Sequence, residues 1–367
     1  MDKKLKVAIV HDWLTNFGGA ERVIEAFCEI FPDAPIYTTV YNEENMAEYF
    51  PPEKVRTSFM QKIPLSTRYY TKMLSMMPRA FESFNLSGYD IVLSSSSSCA
   101  KGVITGPDTM HVSYIHTPMR YAWDLYHDYY NNSGLMTKLF MGITMPKIRQ
   151  WDVLNTFRID HLIANSNYVK RRIKKYYRRE ATVIYPPVGT NVFVPGDRKI
   201  EDYYLIVSRF VPYKRIDLAI KAFNELGKRL VVVGSGSEEN YLKKIAKSNI
   251  EFIGRISDQK LKEYFQRCKA LIFAAKEDFG IIPLEAQACG RPVIAFGEGG
   301  ALETVKHLET GVHFKEQTVD SLIDAVNAFE KNHFDNSLIR NHAEEFSKKV
   351  FISELKQYIF SKYNDFI

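Results

Sequence analysis

The sequence predicts an α/β protein made of two doubly wound domains in tandem. Three observations support this prediction. Short apolar runs alternate with single amphipathic helical patterns, a segment rich in proline and glycine interrupts the alternation near residue 190, and the chain has 367 residues. That length favours two domains over one. Since strands separated by single helices form parallel sheets covered on both faces, we place the domains at residues 1–188 and 189–350.

Strand and helix patterns alternate through the first domain. A glycine pair opens the amphipathic pattern FGGAERVIEAFCEIF (17–31), in which Val23, Phe27 and Phe31 share one face. Apolar runs of the strand type lie at 4–13, 89–98, 110–117 and 159–166, and the last of them leads into a helical pattern. The segment 181–197 contains three prolines and two glycines, which predicts a linker.

The same alternation restarts after the linker. Apolar runs typical of buried strands lie at 202–210, 228–236, 250–254, 270–275 and 291–296. Helical patterns lie between them, at 215–226, 238–247, 258–268 and 283–290, and an amphipathic pattern closes the chain at 352–367. In doubly wound sheets ligands bind outside the carboxyl ends of the strands, so with two domains the expected site is the cleft between them.

Composition and charge exclude several classes of protein. No apolar run reaches the roughly 18 residues that span a bilayer, and the four cysteines are scattered singly, which indicates neither a disulfide framework nor a zinc site. We therefore expect a cytoplasmic globular protein. Residues 51–190 hold 19 Lys or Arg against 9 Asp or Glu, which predicts an anionic partner for that half.

Two glutamates flank one short loop in the second domain. Glu277 follows a buried strand, and Glu285 lies early in the helix that Pro283 begins. A carboxylate accepts hydrogen bonds in pairs, which suits a sugar diol. The backbone N–H groups of Phe279, Gly280 and Ile281 precede the helix and suit anionic or hydroxyl oxygens. A lone glutamate is as often a helix cap or a surface residue, so its neighbours decide the interpretation.

Cations and glycines follow the neighbouring strands. Arg209 and Lys214 in SRFVPYKRID lie five positions apart. Both suit a diphosphate, because an Arg guanidinium can donate two parallel hydrogen bonds to phosphate and a Lys ammonium adds a compact positive charge. Gly234 and Gly236 follow the next strand and allow close approach of the backbone to a ligand. Three strand ends therefore offer cations, flexible glycines and hydrogen-bond acceptors.

These motifs resemble the retaining GT-B glycosyltransferases of family 4, which carry an E-x7-E motif. The resemblance rests on Glu277 and Glu285 with FGIIPLEAQACGRPVIA, on Arg209 and Lys214, and on YIHTPMRYAWD (114–124) with the N-terminal glycine pair. It covers nearly the whole chain and extends to bacterial members that build O-antigen or exopolysaccharide, some of them mannosyltransferases. It implies two Rossmann-like domains facing across a cleft, with a C-terminal helix at about 351–367 crossing back onto the first domain.

The resemblance also implies roles for the second domain's residues. Glu285 would hold the ribose diol of a nucleotide sugar, and Glu277 a hydroxyl of the donor sugar. Arg209 and Lys214 would neutralise the diphosphate. The amides of Phe279, Gly280 and Ile281 would orient sugar and phosphate, and the backbone of Gly254 and Arg255 would contact the base. The close backbone approach at Gly234, inferred above from its residue type, would then serve the donor.

In the first domain the resemblance implies that Gly19 approaches the phosphates and that His116 contacts the donor sugar. His116 is also explained by simple packing, and His11, at another strand end, is a second candidate. The implied reaction is retaining transfer, with mannose from GDP-mannose as the best guess. It would need neither metal nor cofactor, and the sequence has no Asp-x-Asp motif of the metal-dependent GT-A enzymes.

The implied acceptor is a lipid-linked or polysaccharide glycan on an anionic membrane surface. Segments 54–79 and 135–149 mix basic with apolar residues and lack acidic ones, which suits helices lying on the inner face of a membrane. The basic run 170–179 is explained equally well by a solvated helix face. We therefore expect a cytoplasmic enzyme, peripheral on that membrane.

Other classes fit less well. A nicotinamide dehydrogenase needs Gly-x-Gly-x-x-Gly after its first strand, which WLTNFGGAERV lacks. No nucleic-acid-binding module appears, so we predict no nucleic-acid partner. The remaining alternatives share the fold: a UDP-hexose-dependent transferase, a glycosyl phosphorylase, or a protein that binds a nucleotide sugar without transferring it.

Overall fold

The chain folds as two α/β units. A computed structural model describes residues 5–197 and 199–367, so Lys4, in the first predicted strand, and Arg198 lie outside the described residues. Unit 1 comprises the chain up to Pro186 together with Phe351–Ile367, and unit 2 comprises Pro187–Val350. Each unit contains one fully parallel sheet with helices between its strands, which confirms the predicted fold class.

Unit 1 is built on a sheet with the strand order β3-β2-β1-β4-β5-β6-β7. Its strands are β1 (Val7–His11), β2 (Ile36–Thr38), β3 (Val55–Thr57), β4 (Ile91–Ser96), β5 (Met110–Ile115), β6 (His161–Ala164) and β7 (Thr182–Val183). Its first seven helices are α1 (Gly19–Ile30), α2 (Glu43–Met46), α3 (Ser66–Tyr69), α4 (Met77–Glu82), α5 (Tyr126–Asn131), α6 (Leu135–Thr156) and α7 (Asn167–Tyr177). The strand order reverses between β1 and β4, where doubly wound folds bind ligands.

Unit 2 has the strand order β10-β9-β8-β11-β12-β13. Its strands are β8 (Tyr204–Arg209), β9 (Leu230–Ser235), β10 (Ile250–Gly254), β11 (Ala270–Phe273), β12 (Val293–Phe296) and β13 (Gly311–Phe314). Its helices are α8 (Ile216–Leu226), α9 (Glu239–Ile245), α10 (Asp258–Arg267), α11 (Ile281–Ala288), α12 (Ala301–Thr304), α13 (Val319–Glu330) and α14 (Asn336–Glu344). Here the order reverses between β8 and β11.

The last helix, α15 (Lys348–Phe366), returns the chain to the core of unit 1. Phe351, Leu355 and Ile359 are fully buried in the same hydrophobic cluster as Phe27 of α1 and Tyr114 of β5. The Phe351 ring stacks on Phe27 at a centroid distance of 6.5 Å and meets the edge of Tyr114 at 5.8 Å. Unit 1 is therefore completed by residues that follow unit 2 in the chain.

The segment 54–79 differs from the expected membrane-lying helix. It contains β3, two 3-10 turns and the short helices α3 and α4, because Leu65 adopts a left-handed conformation and Met73 has non-helical angles. Met60 and Met77 from this segment are buried in one cluster with Met141 of α6. Within residues 5–197 and 199–367, no helix is long and apolar enough to cross a bilayer.

Candidate functional site

The predicted cation and carboxylate of unit 2 meet where the strand order of its sheet reverses. Lys214 ends the 3-10 turn that follows β8, and Glu277 follows β11 in the next strand position. The Nζ atom of Lys214 forms a salt bridge and a hydrogen bond with Oε1 of Glu277. Both side chains are largely buried, at 12% and 22% exposure. The pair is screened less by solvent than a surface ion pair.

A short turn fixes the position of Lys214. The next residue, Arg215, adopts a left-handed conformation with φ of 52°, which ends the 3-10 turn and starts α8. The Arg215 guanidinium donates to Oε1 of Gln317 at 3.4 Å, and the Gln317 amide donates to the carbonyl of Ala274 at 2.8 Å. The turn that carries Lys214 is thus tied to the residue just after β11.

Arg209 is the last residue of β8 and lies on the exposed rim of this site. Its Nη2 donates to the hydroxyl of Tyr213 at 3.2 Å, while Lys214 Nζ lies 5.3 Å from the centroid of the same ring. The two predicted cations therefore contact one tyrosine. An anion bound beside Tyr213 would be attracted by a buried ammonium and an exposed guanidinium.

The loop between Glu277 and α11 packs against a glycine pair after β12. The carbonyl of Glu277 accepts from the backbone N–H of Gly300 at 2.9 Å. A Cβ atom on Gly300 would lie 2.3 Å from Cα of Phe279, and one on Gly299 would lie 2.4 Å from the Glu277 carbonyl oxygen. Only glycine fits at these contacts, so Gly299 and Gly300 determine the course of the predicted binding loop.

The predicted amide donors lie at the start of α11. Gly280 caps this helix with φ of +93°, Ile281 is its first residue, and Phe279 is buried just before it. The first N–H groups of a helix have no partner within the helix and carry its positive end. Glu285 lies in the second turn, not at the helix start, and is only 3% exposed.

The glycines in the last two residues of β9 and β10 differ in their surroundings, and Gly234, predicted to follow its strand, pairs within the sheet with Ser208. Gly234 has φ of +135°, and a Cβ there would lie 1.8 Å from the carbonyl oxygen of Ser208 in β8. Glycine is required at position 234 because the backbone of β8 packs against it, whether or not a ligand binds there. Gly254 has φ of +78° and open space around it, and its neighbour Arg255 donates from Nε to Ser235 Oγ at 2.7 Å.

In unit 1 the reversal point between β1 and β4 carries a chain of polar side chains. Nδ1 of His11 lies 3.2 Å from Oγ of Ser95, and that oxygen lies 2.7 Å from Nε2 of His116. On the other side, Nε2 of His11 lies 3.4 Å from Oε1 of the buried Glu21. The four residues form a continuous polar row from α1 to the end of β5, and α1 itself begins at Gly19.

His116 is neutral at physiological pH. Burial, followed by the charge of His11, lowers the pKa of His116 to about 3. A neutral imidazole has one nitrogen that donates and one that accepts, so its contact with Ser95 Oγ determines which nitrogen is available to a ligand. This histidine is suited to hold a hydroxyl by hydrogen bonding and does not serve as a cation.

Asp12 anchors the loop that follows β4. Its buried carboxylate accepts from the backbone N–H groups of Ser97 at 2.6 Å, Ser98 at 2.9 Å and Ala100 at 2.7 Å. Such a set of donors satisfies the acceptor positions of the carboxylate and fixes the geometry of the loop. Asp12 thereby supports the end of the strand that carries Ser95.

The structure thus groups the predicted residues into two sets. Lys214, Glu277 and the loop into α11 lie together in unit 2, and His116 lies with His11 in unit 1. Sequence reasoning missed Glu21, Ser95 and the pair Gly299–Gly300. Ser95 lies in the serine run that ends β4, and the glycine pair follows β12, so the ends of strands were the available signal.

Two family models match the chain. The family described as Glycosyltransferase Family 4 matches residues 17–192, and the family described as Glycosyl transferases group 1 matches residues 190–350. The boundary between the two matches falls within a few residues of the division between the units at Pro186 and Pro187.

Curated relatives include enzymes that transfer mannose. An alpha-1,3/1,6-mannosyltransferase of Kluyveromyces lactis is 25% identical over 89% of this chain and 78% of its own length. A GDP-mannose-dependent monoacylated alpha-(1-6)-phosphatidylinositol monomannoside mannosyltransferase of Corynebacterium glutamicum is 33% identical over 45% of this chain and 51% of its own length. An uncharacterized glycosyltransferase of Methanocaldococcus jannaschii is 28% identical over 53% of this chain and 56% of its own length. In the last two alignments the chain spans about half the length of the relative.

Solved structures share the fold over almost the whole chain. HepE of Anabaena, crystallised with UDP and glucose, superposes with a TM-score of 0.70 at 18% identity, covering 98% of this chain and 100% of that one. A sucrose-phosphate synthase of Thermosynechococcus elongatus gives a TM-score of 0.70 at 15% identity, covering 99% of this chain and 100% of that one. The two family matches, which together span residues 17–350, and the two doubly wound units show that this chain belongs to the GT-B glycosyltransferases of family 4.

Proposed function

We propose that the protein transfers a hexose, with mannose from GDP-mannose as the first candidate, to a lipid-linked or polysaccharide acceptor in the assembly of bacterial surface glycans. The observation that carries the transferase proposal is the pair Lys214–Glu277, which lies where the sheet order reverses and beside the loop that starts α11. A cation, a carboxylate and helix-start amides at one strand end suit a sugar diphosphate.

Support for mannose comes from the relatives, two of which are named mannosyltransferases and one of which is named for GDP-mannose. The alternative is a UDP-hexose donor. It is favoured by the structural neighbour HepE, which was crystallised with UDP and glucose. The fold is common to both, so the donor has to be measured.

Each unit 2 residue has a role in this proposal. Lys214 and Arg209 bind the diphosphate, and Lys214 then exchanges its contact with Glu277 for a phosphate oxygen. The exchange leaves the Glu277 carboxylate available to accept from a hydroxyl of the donor sugar. Glu285 accepts from the ribose diol, and the amides of Phe279 to Ile281 complete the anion site.

The chemistry that we propose is transfer with retention at the anomeric carbon. The bond between that carbon and the diphosphate oxygen breaks, and its electron pair leaves with the nucleotide diphosphate. An acceptor hydroxyl forms the new C–O bond on the same face and gives its proton to the departing phosphate. Lys214, Arg209 and the helix-start amides stabilise the charge that develops on the leaving group, so they accelerate the reaction in the way an oxyanion hole does.

We also propose that this reaction needs no metal. The charge on the leaving diphosphate is met in this scheme by Arg209, Lys214 and the positive end of α11. In unit 1, the neutral His116 would donate to or accept from the donor sugar next to the reacting carbon, with Gly19 near the phosphates.

The test is a donor panel of GDP-mannose, UDP-glucose, UDP-galactose and UDP-N-acetylglucosamine, each with and without EDTA. We expect binding and slow hydrolysis of one donor, GDP-mannose first, at the same rate in both conditions. Hydrolysis that EDTA abolishes would disprove metal independence, and release of a sugar phosphate from a glycan by inorganic phosphate would identify a phosphorylase. Lys214→Met protein, which lacks the ammonium, is the negative control.

A further inference from the structure

Helix α6 carries a row of large apolar side chains on the protein surface. Leu135, Met136, Leu139, Phe140 and Ile143 are all exposed, with Leu135 at 83% and Leu139 at 61%. At 100° per residue these five positions fall within one side of the helix. Folded monomers rarely leave a contiguous apolar patch of this kind exposed unless it binds something.

The row lies on the side of α6 that faces away from the core. Met141, Met145 and Ile148 are buried and pack in the hydrophobic cluster of unit 1, and in the helical repeat they lie opposite the exposed row. The exposed side continues towards the end of the helix with Leu154, which is 64% exposed. The helix is thus apolar on two opposite sides, of which only one is covered by the fold.

The charged side chains that α6 itself presents to solvent are basic. No Asp or Glu occurs between Asp128 and Asp152, while Lys147 is exposed on α6. Helix α7 packs beside α6 and exposes Arg171 and Lys175, and the exposed Arg178 follows its last residue. A basic surface around an apolar row is complementary to a layer with anionic head groups above an apolar interior.

Other occupants fit this surface less well. A second copy of the chain would bring two basic surfaces together, and a nucleic acid would gain nothing from five exposed apolar side chains. A spanning helix is ruled out for α6, because no helix of the described residues is long and apolar enough to cross a bilayer. The remaining arrangement is a helix lying along the interface.

We infer that the exposed side of α6 is the surface by which this protein lies on a bilayer containing anionic lipids. This assignment rests on the proposed function, because that function supplies the reason for binding a membrane: an acceptor that is borne there. The side chains of Leu139, Phe140 and Ile143 enter the boundary between head groups and acyl chains, and the cations around them contact the head groups.

The test is co-sedimentation with vesicles of phosphatidylcholine alone or with 30% phosphatidylglycerol, at low and high salt. We expect binding to the anionic vesicles that weakens as salt rises, because exposed charges are screened. The triple variant Leu139→Ser, Phe140→Ser, Ile143→Ser should bind at least tenfold more weakly, since each buried apolar side chain contributes more than a tenfold factor when fully removed from water.

The matched control is Leu338→Ser on α14 of unit 2, since Leu338 is 59% exposed, close to the 61% of Leu139. It should bind vesicles like the unmodified protein, whereas Leu139→Ser alone should bind several-fold more weakly. Equal binding by all variants, or no binding by the unmodified protein, would overturn the assignment. So would a triple variant that binds vesicles normally but has lost self-association in lipid-free sedimentation, because a second copy would then be the occupant.

Donor hydrolysis without lipid separates this inference from the proposed function. If the protein cleaves no nucleotide sugar but binds anionic vesicles through α6, the proposed transfer fails and the surface assignment stands. If it cleaves a donor and the triple variant binds vesicles unchanged, the surface assignment fails and the proposed transfer stands.

Discussion

Lys214 and Glu277 lie 63 positions apart in the chain and form an ion pair at the point where the sheet of unit 2 reverses its order. The pair combines a charge that attracts a diphosphate with one that repels it. A bound anion therefore competes with Glu277 for the lysine, and the loss of that contact exposes the carboxylate for a hydroxyl ligand. This relationship makes the roles of the two residues separable by substitution.

Replacing Lys214 with methionine should reduce turnover about 100-fold or more at saturating donor, which is the usual cost of removing one donor that stabilises a leaving charge. Because Lys214 and Glu277 both keep some contact with solvent, at 12% and 22% exposure, the thermal midpoint should fall by no more than a few degrees. Steady-state kinetics and thermal unfolding measure the two effects.

The matched control for this substitution is Lys221→Met. Lys221 forms an exposed i,i+4 pair with Asp217 on the following helix, so the variant loses a lysine and an ion pair of the ordinary surface kind. It should keep wild-type turnover. A Lys214→Met protein with wild-type turnover would rule out the diphosphate role.

The two glutamates should respond differently to the isosteric change to glutamine. Glu285→Gln should weaken nucleotide binding about tenfold or more, since a hydrogen bond to a charged group is worth roughly 1.5–3 kcal/mol. Glu277→Gln should mainly lower turnover and leave the affinity for free nucleotide almost unchanged. Calorimetric titration with nucleotide and initial-rate kinetics give the two quantities, and equal losses of nucleotide affinity would contradict the division of roles.

Removing the Ser95 hydroxyl should affect turnover through His116. Ser95→Ala leaves Nε2 of His116 without its 2.7 Å contact, so the imidazole is free to rotate or change tautomer. We expect kcat to fall about tenfold, equivalent to one hydrogen bond of roughly 1.4 kcal/mol, with little change in the KM for donor.

Ser94→Ala is the control for that experiment. Ser94 is the neighbouring residue of β4, is equally buried, and contacts His111 and Ser113 instead. It should lower the free energy of unfolding by a similar amount and leave kcat unchanged. If both serine variants reduced kcat alike, the effect of Ser95 would be one of stability and not of positioning.

Stability should fall in mild acid because of a buried histidine in β5. Burial lowers the pKa of His111 to about 3, so between pH 6.5 and pH 3 the unfolded chain binds a proton that the folded chain does not. The free energy of unfolding therefore decreases as the pH falls below 6.5, by up to about 1.4 kcal/mol per pH unit for this group. Urea unfolding at pH 7.5 and 5.5 measures it.

Substitution isolates the contribution of His111 to this pH dependence. His111→Gln should reduce the difference in unfolding free energy between pH 7.5 and 5.5 by about 1 kcal/mol. His127→Gln, at an exposed histidine, should leave that difference as it is in the unmodified protein. An unchanged difference in the His111 variant would show that this imidazole does not titrate as its burial implies.

The sequence predicted the doubly wound halves because their longer strands and helices have strong local patterns. Helix α8, for example, has a continuous buried face that includes Ile216, Ile220 and Phe223. The strands β2, β3 and β7 have three or fewer residues and were not predicted, because runs this short carry no periodic pattern. Their pairing depends on neighbouring strands that are distant in sequence.

The candidate site was only partly predictable for a related reason. Motifs at strand ends indicated Lys214 and Glu277, but their ion pair depends on the order of β8 and β11 in the sheet. Ser95 was hidden in a serine run, and its neighbours His11 and His116 are supplied by other strands. The local sequence does not determine which strand ends become adjacent in a sheet. The contacts across the reversal point were therefore identified only from the structure.

The position of α15 has a consequence for synthesis of the protein. During translation, unit 2 is complete once Val350 has been made, whereas unit 1 still lacks Phe351, Leu355 and Ile359, which fill its core beside Phe27. Until α15 has been synthesised, unit 1 therefore has an incomplete core, and part of its apolar surface is uncovered. A frameshift or cleavage near residue 350 would leave the later-made unit intact and the earlier-made one unfinished.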